Sequence, residues 1–135
     1  MKTTTDVITD VIEVIKASSI PANTNGEIYR KTRPTESELE DTVVHIIPGV
    51  QGKFVFDGTV FVKIFYKNIQ LGTTWAENST RAVQLEALLY QLSQNLLDMP
   101  EYTYYIQSRE IYTEPVLEVQ QYYAILKINF KYLNS

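Results

Sequence analysis

Few residues in this chain are able to do chemistry, and they are poorly placed for it. His45 is the sole histidine and stands inside "TVVHIIPG". A nucleophile–base pair or a histidine metal site needs partners that the sequence does not set beside it, so His45 reads as structural. Glu36, Glu38, Glu40 and Asp41 gather carboxylates as a hard-cation loop would. They lack the Asp/Asn–Gly spacing of a calcium loop and read as a solvated acidic segment. Gly49, Gly52 and Gly58 form neither a GxxxxGK[ST] phosphate cradle nor a GxGxxG before a helix, so they read as turns. Zero cysteine removes thiolate nucleophiles, thiolate metal sites and disulfides together. Asn78-Ser79-Thr80 has the form of a glycosylation acceptor, but its capping of a helix is the better account. No catalytic residue, metal site or cofactor is expected.

The basic residues make a more specific pattern. Lys127 and Lys131 share a strand face with Tyr123, and Lys63 lies between Phe61 and Phe65. Aromatics flanked by lysine on a sheet are able to stack unpaired bases. Against that reading stand a net charge of −4 and the absence of an RNP-like glycine–aromatic pattern, so sequence-specific nucleic-acid binding is not expected. A face of Phe61, Phe65, Tyr123, Ile125 and Lys127 instead has the composition of an interface, with aromatic anchors among polar groups. Two covers are open to it: an N-terminal helix, or another subunit. The chain has 10 tyrosines, a residue suited to half-buried sheet faces. Trp75, the only tryptophan, is either local core cover or an anchor between subunits.

The elements that position these residues follow from periodicity. Thr3 to Lys16 carries Ile8, Val11, Ile12 and Ile15 at helical spacing, with Thr3-x-x-Asp6 as a capping box. "SSIPANTNG" breaks the pattern with turn residues, "GEIYRKTRP" gives a short strand ended by Pro34, and "TVVHIIPG" a second strand. "KFVFDGTVFVKIFY" alternates on both sides of Asp57-Gly58, which is either a hairpin turn or a bulge inside one long strand. A loop from Lys67 to Asn78 precedes the clearest helix, where Ala82, Leu85, Leu89, Leu92 and Leu96 form a stripe that ends by Pro100. "YTYYIQSREIYT" and "VLEVQQYYAILKINFKYLNS" are a final strand pair divided at Pro115. In the last strand Tyr122, Ala124, Leu126, Ile128, Phe130 and Tyr132 alternate with Tyr123, Ile125, Lys127, Asn129 and Lys131. The expected fold is α+β: a single domain over residues 1–135, its mainly antiparallel sheet packed against two helices.

At 44% hydrophobic and 21% charged, the composition is that of a globular domain, and no apolar run approaches the roughly 18 residues a membrane span needs. "MKTTTDVITD" meets acid where a secretory signal carries its apolar stretch, so synthesis in the cytoplasm without a targeting segment is expected.

This order of elements resembles the tail-terminator or tail-completion proteins of long-tailed bacteriophages and related head–tail connector and neck components. The resemblance runs over nearly the whole chain, through the N-terminal helix, "GEIYRKTRP", "TVVHII", "GTVFVKIFYKN", the helix "STRAVQLEALLYQL" and the terminal strand pair. It implies an α+β virion structural protein, made in the bacterial host cytoplasm, without a reaction or cofactor. It further implies a homo-oligomeric ring, commonly of six subunits, whose partners are itself and the tail-tube and connector proteins, with no membrane involved. The positions it points to are Arg30, Lys31, Arg33, Glu36, Glu38 and the Lys67 to Asn78 loop; the strand pattern itself adds Tyr123, Ile125 and Lys127 as interface candidates, and Trp75 in that loop is another. Arg30, Lys31 and Arg33 facing Glu36, Glu38 and Glu40 of a neighbour is the expected charge pairing. The loop from Arg33 to Asp41 departs from the family layout in being short and acidic. The alternative is an adaptor or small-ligand-binding module that uses a tyrosine-rich sheet face.

Overall fold

A computed structural model describes residues 2–52, 54–116 and 119–133. The first helix, α1 (Thr4–Lys16), begins as its sequence dictates: Thr3 accepts from the Asp6 backbone and Asp6 reaches back to the Thr3 N–H. A four-residue turn of helix, α2 (Ile20–Asn23), carries Pro21 in its first turn, where the missing N–H costs nothing. Five strands make the main sheet: β1 (Ile28–Arg30), β2 (Thr42–Gln51), β3 (Val55–Lys67), β6 (Tyr102–Pro115) and β7 (Gln121–Leu133). Their spatial order is β1-β2-β3-β7-β6, antiparallel except for the short parallel pair β1–β2. The fold is α+β, as the periodicity predicts.

Asp57 and Gly58 lie inside β3, not at a turn. Gly58 is paired with Pro48 on β2 and with Phe130 on β7, and a Cβ there would come 2.6 Å from the Ile47 carbonyl oxygen. Pairing along both edges of β3 therefore overrides the turn preference of Asp-Gly. The segment expected as a loop contains a small separate hairpin, β4 (Ile69–Leu71) with β5 (Thr74–Ala76), turned by Gly72 in the left-handed region.

The last helix, α3 (Ser79–Leu97), is capped by the Asn78 side chain, which accepts from the Arg81 N–H at 3.2 Å. Its fully buried Leu85, Leu89, Leu92 and Leu96 pack with α1 residues Val7, Val11 and Ile15 against Val62, Ile64, Leu126 and Ile128 of the sheet. Each leucine buried this way stabilises by about 1.5–3 kcal/mol. Both long helices thus share one core on one side of the sheet. The first helix does not cover the other side.

Candidate functional site

β3 and β7 pair without a break from Val55–Leu133 to Lys67–Gln121, so alternate residues of both strands line up on the helix-free face. Cations lie over the rings there. The Arg33 guanidinium stacks 3.6 Å from the Phe65 ring centre, Lys63 Nζ is 4.7 Å from that of Tyr123, and Lys127 Nζ is 5.9 Å from that of Phe61. His45 lies flat on Phe61, with centroids 4.6 Å apart and planes 4° off parallel. Ile125, flanked in register by Lys63 and Tyr112, is only 3% exposed although no helix covers it.

Electrostatics here favour neutral rings. Burial, and secondarily the nearby Lys63, holds the His45 imidazole below its ordinary value, and its Nε2 is buried with no hydrogen-bond partner among the described residues. Burial and the 2.6 Å hydrogen bond that Tyr123 donates to Glu114 push the tyrosine up to about 12. A face of this kind offers area, aromatic anchors and fixed cations. Among the described residues it has no general base or nucleophile poised by a second group.

At the end of this face the segment between β1 and β2 folds over the sheet and is held by a polar clasp. Asp41 is fully buried, where the acidic run reads as solvated, and the reason is its set of donors. The Glu27 N–H reaches it at 3.0 Å, Arg33 Nη1 at 3.4 Å, and the Ser37 hydroxyl also donates to it. Arg33 also donates to the Gln121 side-chain carbonyl, and Gln121 Nε2 donates to the Ser37 carbonyl at 3.0 Å. Glu40 takes the Arg81 guanidinium in two bonds of 2.7 and 2.9 Å, which raises the arginine's pKa and ties the segment to the start of α3. Three members of the charge pairing expected between neighbours therefore have partners within the chain: Arg33 and Glu40 in the clasp, and Glu38 in an exposed contact with Lys67.

The remaining expected positions fall into three places. Arg30 and Lys31 are exposed at the corner where β1 ends, and Lys31 has φ = 66°, unusual for a residue with a Cβ. Glu36, Glu38 and Trp75 line one groove of about 430 Å³ with Lys67, Val119 and Gln121. Trp75 is 50% exposed on the β4–β5 hairpin, so it does not serve as core cover. Tyr123, Ile125 and Lys127 belong to the helix-free face. The sequence does not mark Asp41, Ser37 and Gln121 as residues of one site, because only the fold brings them together. A carboxylate directly before the apolar and β-branched run of "DTVVHII" is the only local sign that Asp41 turns inward.

No protein-family model matches the chain, and no curated protein matches it significantly. Among the described residues no group of three His, Asp or Glu side chains converges as a metal site, and no helix is long and apolar enough to cross a membrane.

Proposed function

We propose that this chain is a non-enzymatic structural protein of a phage or prophage, forming a homo-oligomeric ring at the head–tail junction or the end of the tail tube. The observation that carries the assembly reading is the helix-free sheet face. It presents Phe61, Phe65 and Tyr123 under cations on the side that both long helices leave open. Aromatic anchors ringed by polar groups are the composition of a protein interface. The phage setting and the six-fold ring rest on the resemblance in element order, an argument by analogy. Tail-tube and connector proteins are the proposed partners and the virion the proposed location.

The groove beside Trp75 favours a second reading, an adaptor that takes a small ligand or a peptide. Light scattering over a wide concentration range, with negative-stain imaging, separates the two. Rings of defined subunit number support the structural role. A strict monomer at every concentration that is stabilised by a small ligand replaces it with the adaptor.

A further inference from the structure

We infer that neighbouring copies join head to tail, the Arg30–Lys31 corner of one copy docking into the Glu36–Glu38–Trp75 groove of the next. This inference rests on the ring reading and names the contact that makes it.

Charge complementarity selects the occupant. In a chain of net charge −4, Arg30 and Lys31 are two adjacent exposed cations without an ion pair among the described residues. Arg33, next but one, is held in the clasp and is not available. The groove supplies the opposite chemistry. Glu36 has no ion pair among the described residues, and Glu38 has only an exposed contact with Lys67 at 3.4 Å, which contributes little in water. A half-exposed indole beside two carboxylates suits a guanidinium, which stacks on the ring while its N–H groups reach the acids.

Both partners are pre-formed. The corner is fixed by the left-handed Lys31, whose N–H donates to the Val44 carbonyl at 2.7 Å. The groove wall is fixed by the bond from Gln121 to the Ser37 carbonyl and by Asn68, whose N–H donates to the Gln120 carbonyl at 3.0 Å. Little ordering is left to oppose binding. Corner and groove are different patches of one surface, so the contact is heterologous, and repeating it gives a ring when the rotation closes. The groove also continues the helix-free face, because Lys67 and Gln121 pair at the end of the same register row as Phe65 and Tyr123.

Charge reversal provides the test. Arg30→Glu/Lys31→Glu makes both patches acidic, and Glu36→Lys/Glu38→Lys makes both basic. Each double variant alone should lose self-association at least about a hundredfold, since like charges then meet. An equal mixture of the two should recover it, because every corner then finds an opposite groove. Circular dichroism and melting curves check that the variants fold, as expected of exposed positions. Trp75 replaced by a photo-crosslinking phenylalanine, with one copy isotopically labelled, should bond to a peptide containing Arg30 of the other copy. Undiminished assembly of both variants overturns this contact and leaves the ring standing. Absence of self-association in the unaltered chain removes the ring and the contact together.

Discussion

The two faces of the sheet are made by the same strands and finished in different ways. On the helix side, Val60, Val62, Ile64, Leu126 and Ile128 are fully buried under α1 and α3. On the other side, Phe61, Lys63, Phe65, Tyr123 and Lys127 alternate with them in sequence and remain partly exposed, each ring covered by a cation of its own chain. A period of two thus writes two surfaces into one strand, and only the first is covered by the long helices. The closed face is where stability should reside. The open face is where association should reside.

The widest contrast comes from truncating one residue on each. Leu89→Ala empties a fully buried site between α3 and the sheet and should cost about 2–5 kcal/mol in denaturant unfolding. Phe61→Ala removes a partly exposed ring and should cost less than about 2 kcal/mol, while weakening assembly in light scattering. Equal loss of stability from the two variants, with assembly untouched by the second, would break the comparison.

The clasp is the part of the open side expected to behave like the closed one. Asp41→Ala leaves the Arg33 charge, with 9% of its side chain exposed, facing the site without its carboxylate, and it also strips the Glu27 N–H of its acceptor. Breaking a buried ion pair this way should cost about 3 kcal/mol. Hydrogen exchange should show the segment of residues 31–41 opening first. A loss no larger than that of Phe61→Ala would mean that the Arg33–Phe65 stack and the Gln121–Ser37 and Arg81–Glu40 bonds hold the segment without Asp41.

These contrasts also mark how far the sequence was readable. The helices, the long strands and both sheet faces follow from local periodicity, because burial on one side selects apolar residues at every second or every third and fourth place. What was not legible depends on pairing across long separations. Asp57-Gly58 has turn chemistry, yet its position is set by Pro48 and Phe130 on other strands. Asp41 looks like its acidic neighbours until Arg33 and Ser37 fold back onto it. Trp75 offered two readings because no local pattern reveals a three-residue hairpin strand lying off the main sheet. The aromatic and lysine members of the open face were visible as a set. The groove was not, because its walls come from four separate stretches of chain.

A smaller effect is expected where the chain enters the open side. Lys31 holds a left-handed conformation that costs a residue with a Cβ about 1–2 kcal/mol, whereas glycine adopts it freely but loses more freedom on folding. Lys31→Gly should therefore raise unfolding stability by about 0.5 kcal/mol. A loss of stability would show that the lysine side chain makes a contact worth more than the strain.

The smallest effect discriminates most finely between the faces, because it requires a titrating group, and His45 supplies one on the open side. Its folded pKa lies below the ordinary value of 6.5, so the unfolded chain binds the proton more readily. Above pH 6.5 neither state is protonated and stability is flat. As pH falls below 6.5 toward the lower folded value, the unfolded state gains protons first and stability declines. A neighbouring subunit laid over His45 would remove more solvent from the ring, push its pKa lower still, and extend that decline to the assembled state. Acidification should then dissociate the oligomer before it unfolds the chain. His45→Gln should abolish the dissociation while leaving the helix-side core intact. A pH dependence of assembly that survives His45→Gln would place the titrating group elsewhere and show that assembly does not bury His45.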